Sequence, residues 1–151
     1  MKKNLFVLLL VLSSLLVGCQ QAKYQDASAT AQFSGLVGGR FQTTADLIVH
    51  GVRYNKGRGK TIQEFVVTNK PGFDGPEVVI TSVLKPGAII RIKRALICTN
   101  CIGAGIKFDI EIHPTLGDSS IPVSLIGIGK SGVTTNQDGR TVLTPSLFVR
   151  R

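Results

Sequence analysis

The sequence predicts an all-β protein, a single antiparallel β-sandwich of about eight strands. Beyond residue 30 the chain is rich in Val, Ile, Thr and Gly, a strand-and-turn composition. Apolar residues recur there in short runs, separated about every ten positions by Gly, Pro, Asn or Asp, which is the spacing of sandwiches and barrels. No segment of this region repeats its apolar residues at helical intervals. At 151 residues the chain has room for one domain and hardly a second.

Taken in order, the candidate strands cover residues 31–37, 44–54, 61–68, 77–84, 88–97, 106–113, 121–128 and 141–149. Their junctions carry turn chemistry: Gly38-Gly39, Asn69-Lys70-Pro71-Gly72, Pro86-Gly87 as a type II turn, and Asp138-Gly139 before the last strand. Eight strands make two sheets, of immunoglobulin-like or transthyretin-like kind. The segment 106–113 alternates apolar and polar residues strictly, so one face is core and the other wet. In the strand before it, Ile90, Ile92, Leu96 and Cys98 share one face while Arg91 and Lys93 share the other. A two-residue turn at Thr99-Asn100 opposes Ile92 to Lys107 and mixes the faces. Sliding by one residue opposes Ile92 to Phe108, Ile90 to Ile110 and Arg91 to Asp109, with a bulge at Gly103-Ala104-Gly105 absorbing the extra residue. The expectation is a bulged hairpin capped by Cys98 and Cys101. Arg94 is its misfit, because alternation points it along the core face.

The N-terminus carries a different signal. Lys2 and Lys3 precede an apolar stretch from Leu5 to Val17 interrupted by Ser13 and Ser14, a length suited to a signal peptide and short of the ~20 residues a spanning helix needs. It ends Leu15-Leu16-Val17-Gly18-Cys19, with a leucine three before the cysteine and a small residue just ahead of it. This resembles the lipobox of bacterial lipoproteins over residues 1–19. The resemblance implies cleavage after residue 18, a diacylglyceryl group on the Cys19 sulfur and acylation of the new amine. Several chains at ~0.8 kcal/mol per buried methylene make such an anchor effectively permanent. Gln20 replaces the Asp that commonly retains Gram-negative lipoproteins in the inner membrane, so the resemblance implies the outer membrane, facing the periplasm, in such a host. Residues 19–30 read as a lipidated flexible tether reaching ~35 Å if extended, and residues 31–151 as the sandwich domain.

The formal charge is +9, and removing residues 1–18 takes away Lys2 and Lys3, leaving 16 basic against 9 acidic side chains, or +7. A basic surface suits anionic partners such as lipid head groups and wall polymers. Nucleic acid is not an expected partner, since Trp is absent and two Tyr and seven Phe make a poor stacking platform.

Cys98-Thr99-Asn100-Cys101 has three readings. Lipid consumes Cys19 and leaves an even pair, which in a secreted protein suits a structural disulfide. A thiol–disulfide enzyme places such a pair at a helix N-terminus, where the attacking thiolate is stabilised, whereas here a strand follows. A zinc site with His50 and His113 fails on reach, because His113 lies twelve residues past Cys101 along an extended strand, more than ~30 Å away. No metal or other cofactor is expected. The segment Arg53-Tyr54-Asn55-Lys56-Gly57-Arg58-Gly59-Lys60 reads either as a solvated loop whose charges discourage edge pairing, or as an anion-contacting loop built on Arg53, Tyr54, Lys56, Arg58 and Lys60. Asp109 and Glu111 share a face with cations nearby and read as cross-strand charge partners. No nucleophile–base, phosphate-loop or metalloprotease motif occurs, so a catalytic role is not expected. The expected function is a membrane-anchored, non-catalytic interaction module that meets another envelope protein. Direct binding of anionic envelope polymer is the alternative, and envelope redox chemistry the third.

Overall fold

The computed structural model describes residues 22–54, 61–101, 105–127 and 132–151. Among these residues eleven strands follow in order: β1 (Tyr24–Asp26), β2 (Arg40–Thr43), β3 (Leu47–Val52), β4 (Glu64–Thr68), β5 (Val78–Leu84), β6 (Ile89–Cys98), β7 (Ile106–His113), β8 (Val123–Gly127), β9 (Val133–Thr135), β10 (Thr141–Leu143) and β11 (Phe148–Arg150). Eight of them form one sheet in the order β11-β2-β6-β7-β8-β4-β3-β5, and β1 joins as a ninth by pairing with β6. β9 and β10 pair separately. The pairings are antiparallel except β4 against β8. The molecule is all-β and sandwich-like. One face of the large sheet packs against a second layer made by the β9–β10 hairpin, a 3-10 turn at Ala31–Phe33 and the residues after that turn.

Side-chain alternation creates the core between the layers. β7 buries Phe108, Ile110 and Ile112, while Lys107, Asp109 and Glu111 take the other face. β6 contributes Ile90, Ile92 and Ala95, β3 Leu47 and Val49, β8 Leu125, and the second layer Phe33, Leu36 and Leu143. Phe33 meets Phe108 edge-on, with ring centres 5.8 Å apart and planes at 84°, so a positive ring edge faces a negative ring face. β3 is buried along its whole length, because the segment around Phe73 covers its second face. Gly72 makes that cover possible. Its φ is +83°, and a Cβ there would stand 2.6 Å from His50 Nε2.

The hairpin β6–β7 forms, in a register that differs from the expected one. Ile92 opposes Ile110, Ile90 opposes Ile112 and Arg91 opposes Glu111, and the bulge falls at Lys93. Beyond it Arg94 opposes Asp109 and Ala95 opposes Phe108. A bulge within the strand resolves the misfit of Arg94, because one extra residue lets Lys93 and Arg94 both face solvent before Ala95 returns to the core. Leu96 and Cys98 consequently leave the face of Ile90 and Ile92, and Ala95 and Ile97 replace them there.

Three segments depart from the expected strands. Residues 31–37 form turns, since Phe33 and Leu36 enter the core three positions apart, with the Leu36 amide donating to the Phe33 carbonyl. The run 44–54 begins later, at Leu47. Asp46 takes up Lys70 at 3.1 Å and Lys85 at 3.6 Å, and β2 precedes it. The run 141–149 splits into β10 and β11 around a turn containing Pro145, which has no amide to donate to a ladder. The reading of residues 19–30 as a flexible tether is corrected for its described part, residues 22–30. β1 pairs Tyr24 with Cys98 and Asp26 with Leu96, and the Ala27 amide donates to the Ala95 carbonyl at 2.9 Å. Residues 1–21, which include Cys19, lie outside the described residues.

Phe33 is fully buried and joins the second layer to the large sheet. Replacing it by Ala is expected to cost ~3–5 kcal/mol, through lost transfer energy and the cavity left against Phe108. Urea unfolding monitored by circular dichroism measures this as a lowered midpoint at nearly unchanged slope.

Candidate functional site

The cysteine turn grips the segment that leads back to Cys19. Cys98 and Cys101 have their sulfurs within bonding distance and Cα atoms 5.6 Å apart. The Cys98 amide donates to the Gly105 carbonyl at 2.8 Å, which closes the hairpin end. From the same turn the Thr99 amide donates to the Lys23 carbonyl at 2.8 Å, while the Lys23 amide donates to Asn100 Oδ1 at 2.7 Å. These two bonds run in opposite directions across one residue, so Lys23 is held as in a ladder. β6 ends at Cys98 and β7 begins at Ile106, which places the pair between two strands.

Beside this clasp lies a cleft of about 430 Å³, with Ala22 and Tyr24 on one side and Val52, Tyr54, Val66, Phe73 and Ile126 on the others. Its polar centre is Glu64, 5% exposed on β4. Lys107 reaches it from β7 across the intervening β8, with Nζ 2.6 Å from the carboxylate and 5.5 Å from the centre of the Tyr24 ring. The Tyr54 hydroxyl donates to the other Glu64 oxygen. Burial, followed by the adjacent carboxylate, raises the Tyr54 pKa far above its ordinary value, so this phenol remains a proton donor. The Tyr54 amide donates to Gln63 Oε1 at 2.7 Å. The result is a largely apolar recess in which the Glu64 carboxylate is matched by an ammonium and a phenol, with Glu77 as a second acidic residue in the lining. Such a recess accepts an apolar group by shape and burial.

His50 lies deeper on the same side of the sheet. It is almost fully buried, with Phe73 stacked at 4.1 Å and its Nε2 accepting the Phe73 amide at 3.3 Å. Thr81 approaches Nδ1 at 3.3 Å. Desolvation lowers its pKa and outweighs the opposing pull of Asp74. Its role is packing and hydrogen bonding. His113 is exposed, at the edge of a separate depression of about 520 Å³ shared with Lys93, Glu111 and Asp118. Asp109 and Glu111 are charge partners of β6. Arg94 pairs with Asp109, while Arg91 and Lys93 approach Glu111 at 3.7 and 3.5 Å. Among the described residues no cluster of three or more His, Cys, Asp or Glu is placed to hold a metal ion.

Of the residues singled out from sequence, the fold brings Cys98 and Cys101 together and places Tyr54 at the cleft. Arg53 precedes Tyr54 at the end of β3, and its amide donates to the Glu77 carbonyl at 2.9 Å. Lys56, Arg58 and Lys60 lie outside the described residues. Glu64, Lys107 and Tyr24 escaped sequence reasoning. One signal existed: Glu64 opens a strand that is otherwise Phe, Val and Thr, and an acid there needs a cation that only the fold supplies. Compared with known protein families, curated proteins and solved structures, the chain shows no match to any of them.

Lys107→Met removes the cation from a carboxylate that is nearly buried. The variant is expected to lose ~2–4 kcal/mol of stability in urea unfolding, and a double variant that also carries Glu64→Leu to lose less than the sum of the single changes. His50 titrates lower in the folded than in the unfolded chain, so protonation favours unfolding. Its contribution is complete above the unfolded pKa of ~6.5 and is lost as pH falls through the lower folded value. Thermal midpoints are expected to drop between about pH 7 and 5, with a flatter profile for His50→Gln.

Proposed function

We propose that this chain is a lipid-anchored protein of the bacterial envelope that acts as a non-catalytic interaction module, with the cleft at the root of its anchor as the docking face. A subunit or accessory factor of a secretion, conjugation or pilus assembly, or a surface exclusion factor, is the kind of role that such a module fills. The observation that carries the reading is the clasp on Lys23. It makes the anchoring segment part of the sheet, so that two residues, Gln20 and Gln21, and at most ~11 Å of extended chain separate Cys19 from Ala22 in the cleft wall. A domain held this way presents the cleft at the membrane surface rather than at the end of a long leash. The lipobox residues Leu16 to Cys19 supply the anchor, and Gln20 favours the outer membrane if the host is Gram-negative. The setting of Cys98 and Cys101 between β6 and β7 favours a structural disulfide over thiol–disulfide exchange, because among the described residues no helix dipole supports a thiolate there.

The alternative reading, a binder of anionic envelope polymer, draws support from the sequence that follows β3. The basic segment containing Arg53, Lys56, Arg58 and Lys60 adjoins Tyr54, a cleft residue.

Two measurements test these readings. Radiolabelled palmitate is expected to enter the expressed chain and not Cys19→Ala, which should leave the membrane fraction; equal labelling of both overturns the anchor. A photo-crosslinker at Tyr54 in the anchored chain is expected to capture an envelope protein. No adduct there, together with salt-sensitive polymer binding abolished by neutralising the four cations, transfers the function to the basic loop.

A further inference from the structure

We propose that a row of arginines on the wet face of the large sheet, Arg151, Arg40 and Arg91, holds this domain against an anionic phospholipid surface by binding the lipid phosphates. The three stand side by side at the ends of β11, β2 and β6. Arg40 is the cross-strand partner of Arg91. On its other side the Arg151 amide donates to the Arg40 carbonyl at 2.9 Å, one position past the pair of Arg150 with Phe41. Phe41 and Ile90 are buried, so alternation turns Arg40 and Arg91 to the wet face, and Arg151 shares the face of Arg40.

The opposition of Arg40 to Arg91 is of the close kind. The Ile92 amide donates to the Gly39 carbonyl and the Thr43 amide to that of Ala88, so hydrogen-bonded positions fall at Gly39, Phe41 and Thr43. Arg40 and Arg91 therefore form a non-hydrogen-bonded pair, in which Cα atoms stand ~4.5 Å apart and side chains are nearest. Like charges directly opposite destabilise a sheet. The protein relieves them little. Arg91 meets Glu111 at 3.7 Å, but Lys93 claims the same carboxylate at 3.5 Å. Arg151 donates to Gln42, which is neutral, and among the described residues neither Arg40 nor Arg151 forms an ion pair. Four cations thus share one acid.

Guanidinium suits phosphate, since its planar donors meet two oxygens at once and it sheds water more readily than ammonium does. Three observations choose a lipid surface as the source of the phosphate. The row lies on an open sheet face, which fits a plane of head groups. Val149, 47% exposed, shares that face beside Gln42 and Arg151 and sets an apolar group among the cations. The cleft is on the same face, with Lys107 only four positions before Glu111 on β7, or ~13 Å. Ala22, three positions after Cys19, therefore lies on the side where the arginines stand. This last point rests on the proposed anchor, while the first two do not.

The test separates row from anchor. The full chain carrying Val149→Cys, labelled there with a polarity-sensitive dye, is added to vesicles of phosphatidylcholine alone or of equal parts phosphatidylcholine and phosphatidylglycerol. Flotation with phosphatidylcholine reports the anchor, and dye emission reports the row. Emission is expected to shift to the blue in the mixed vesicles only, and to return at high salt, which screens exposed charge. Arg40→Gln and Arg151→Gln should each lower the ratio of membrane-contacting to free domain about fivefold. Arg140→Gln, the same charge change beside β10 in the second layer, should leave that ratio unchanged. Arg40→Gln should also keep or raise the urea midpoint, because it relieves the pair with Arg91, which an arginine retained for the fold would not do. A chain that does not float with phosphatidylcholine lacks its anchor, and its flotation with the mixed vesicles then reads the row by the same variants. No blue shift and no salt-sensitive flotation with mixed vesicles overturns the proposal, as does an equal shift in phosphatidylcholine or an equal loss with Arg140→Gln. A shift abolished by inorganic phosphate at constant ionic strength makes the free anion the ligand and overturns the membrane as occupant.

Discussion

The architecture depends on β6, a ten-residue strand that serves the sheet along both of its edges. On one edge it receives β2 against Ile89 to Arg91 and β1 against Leu96 to Cys98, and on the other it pairs with β7 along most of its length. A strand of plain alternation could not do this with the residues present. Arg91, Lys93 and Arg94 need water, while Ile90, Ile92 and Ala95 need the core, and an odd number of positions separates the last two. The bulge at Lys93 removes the conflict by inserting one unpaired residue, which changes the phase and adds local twist. On one side of it the sheet holds β2 and the second layer; on the other it holds β1 and the cysteine turn.

That division links the core to the candidate site. Because the phase changes at Lys93, Leu96 and Cys98 stand off the core face and are available to β1. β1 in turn brings Tyr24 over Lys107 and Ala22 to the cleft wall. The cysteine turn closes the arrangement from outside, since the Thr99 amide donates to Lys23 and the Asn100 side-chain oxygen accepts from it. A disulfide across so short a loop removes little chain entropy and contributes at or below the low end of ~2–4 kcal/mol. Its value is local: it keeps Thr99 and Asn100 in the shape that holds Lys23, and so fixes where the chain enters the sheet at β1.

The charged groups divide into two classes by burial. Arg91, Lys93, Arg94, Asp109 and Glu111 form an exposed ladder on the wet face, where each pair is worth ~1 kcal/mol or less. Glu64 with Lys107 is different, because its carboxylate is sheltered by the cleft and loses more if its partner goes. The placement of Glu64 was invisible before the fold, since it lies 43 positions from Lys107 in sequence and the pairing of β8 with β7 on one side and, in parallel, with β4 on the other brings them together. Parallel contacts join distant parts of the chain without any turn signal to announce them.

The sequence by itself determined whatever depends on short-range pattern. Strict alternation in Ile106–His113 specified β7 and its two faces, Pro86-Gly87 specified a turn in which Gly87 takes φ +98°, and the spacing of Cys98 and Cys101 specified a local pair. Tertiary structure decided what depends on competition among distant partners. A bulge stands at Lys93 because the core had to seat Ala95 against Phe108, while the bulge expected at Gly103-Ala104-Gly105 falls largely outside the described residues; residues 31–37 became turns because Phe33 and Leu36 had to fold over the sheet rather than lie in it. Tyr24–Asp26, polar and without apolar period, became a strand because the outer half of β6 offered unpaired backbone that a ladder satisfies. Local propensity carries no information about such vacancies, since they exist only once the rest of the sheet is built.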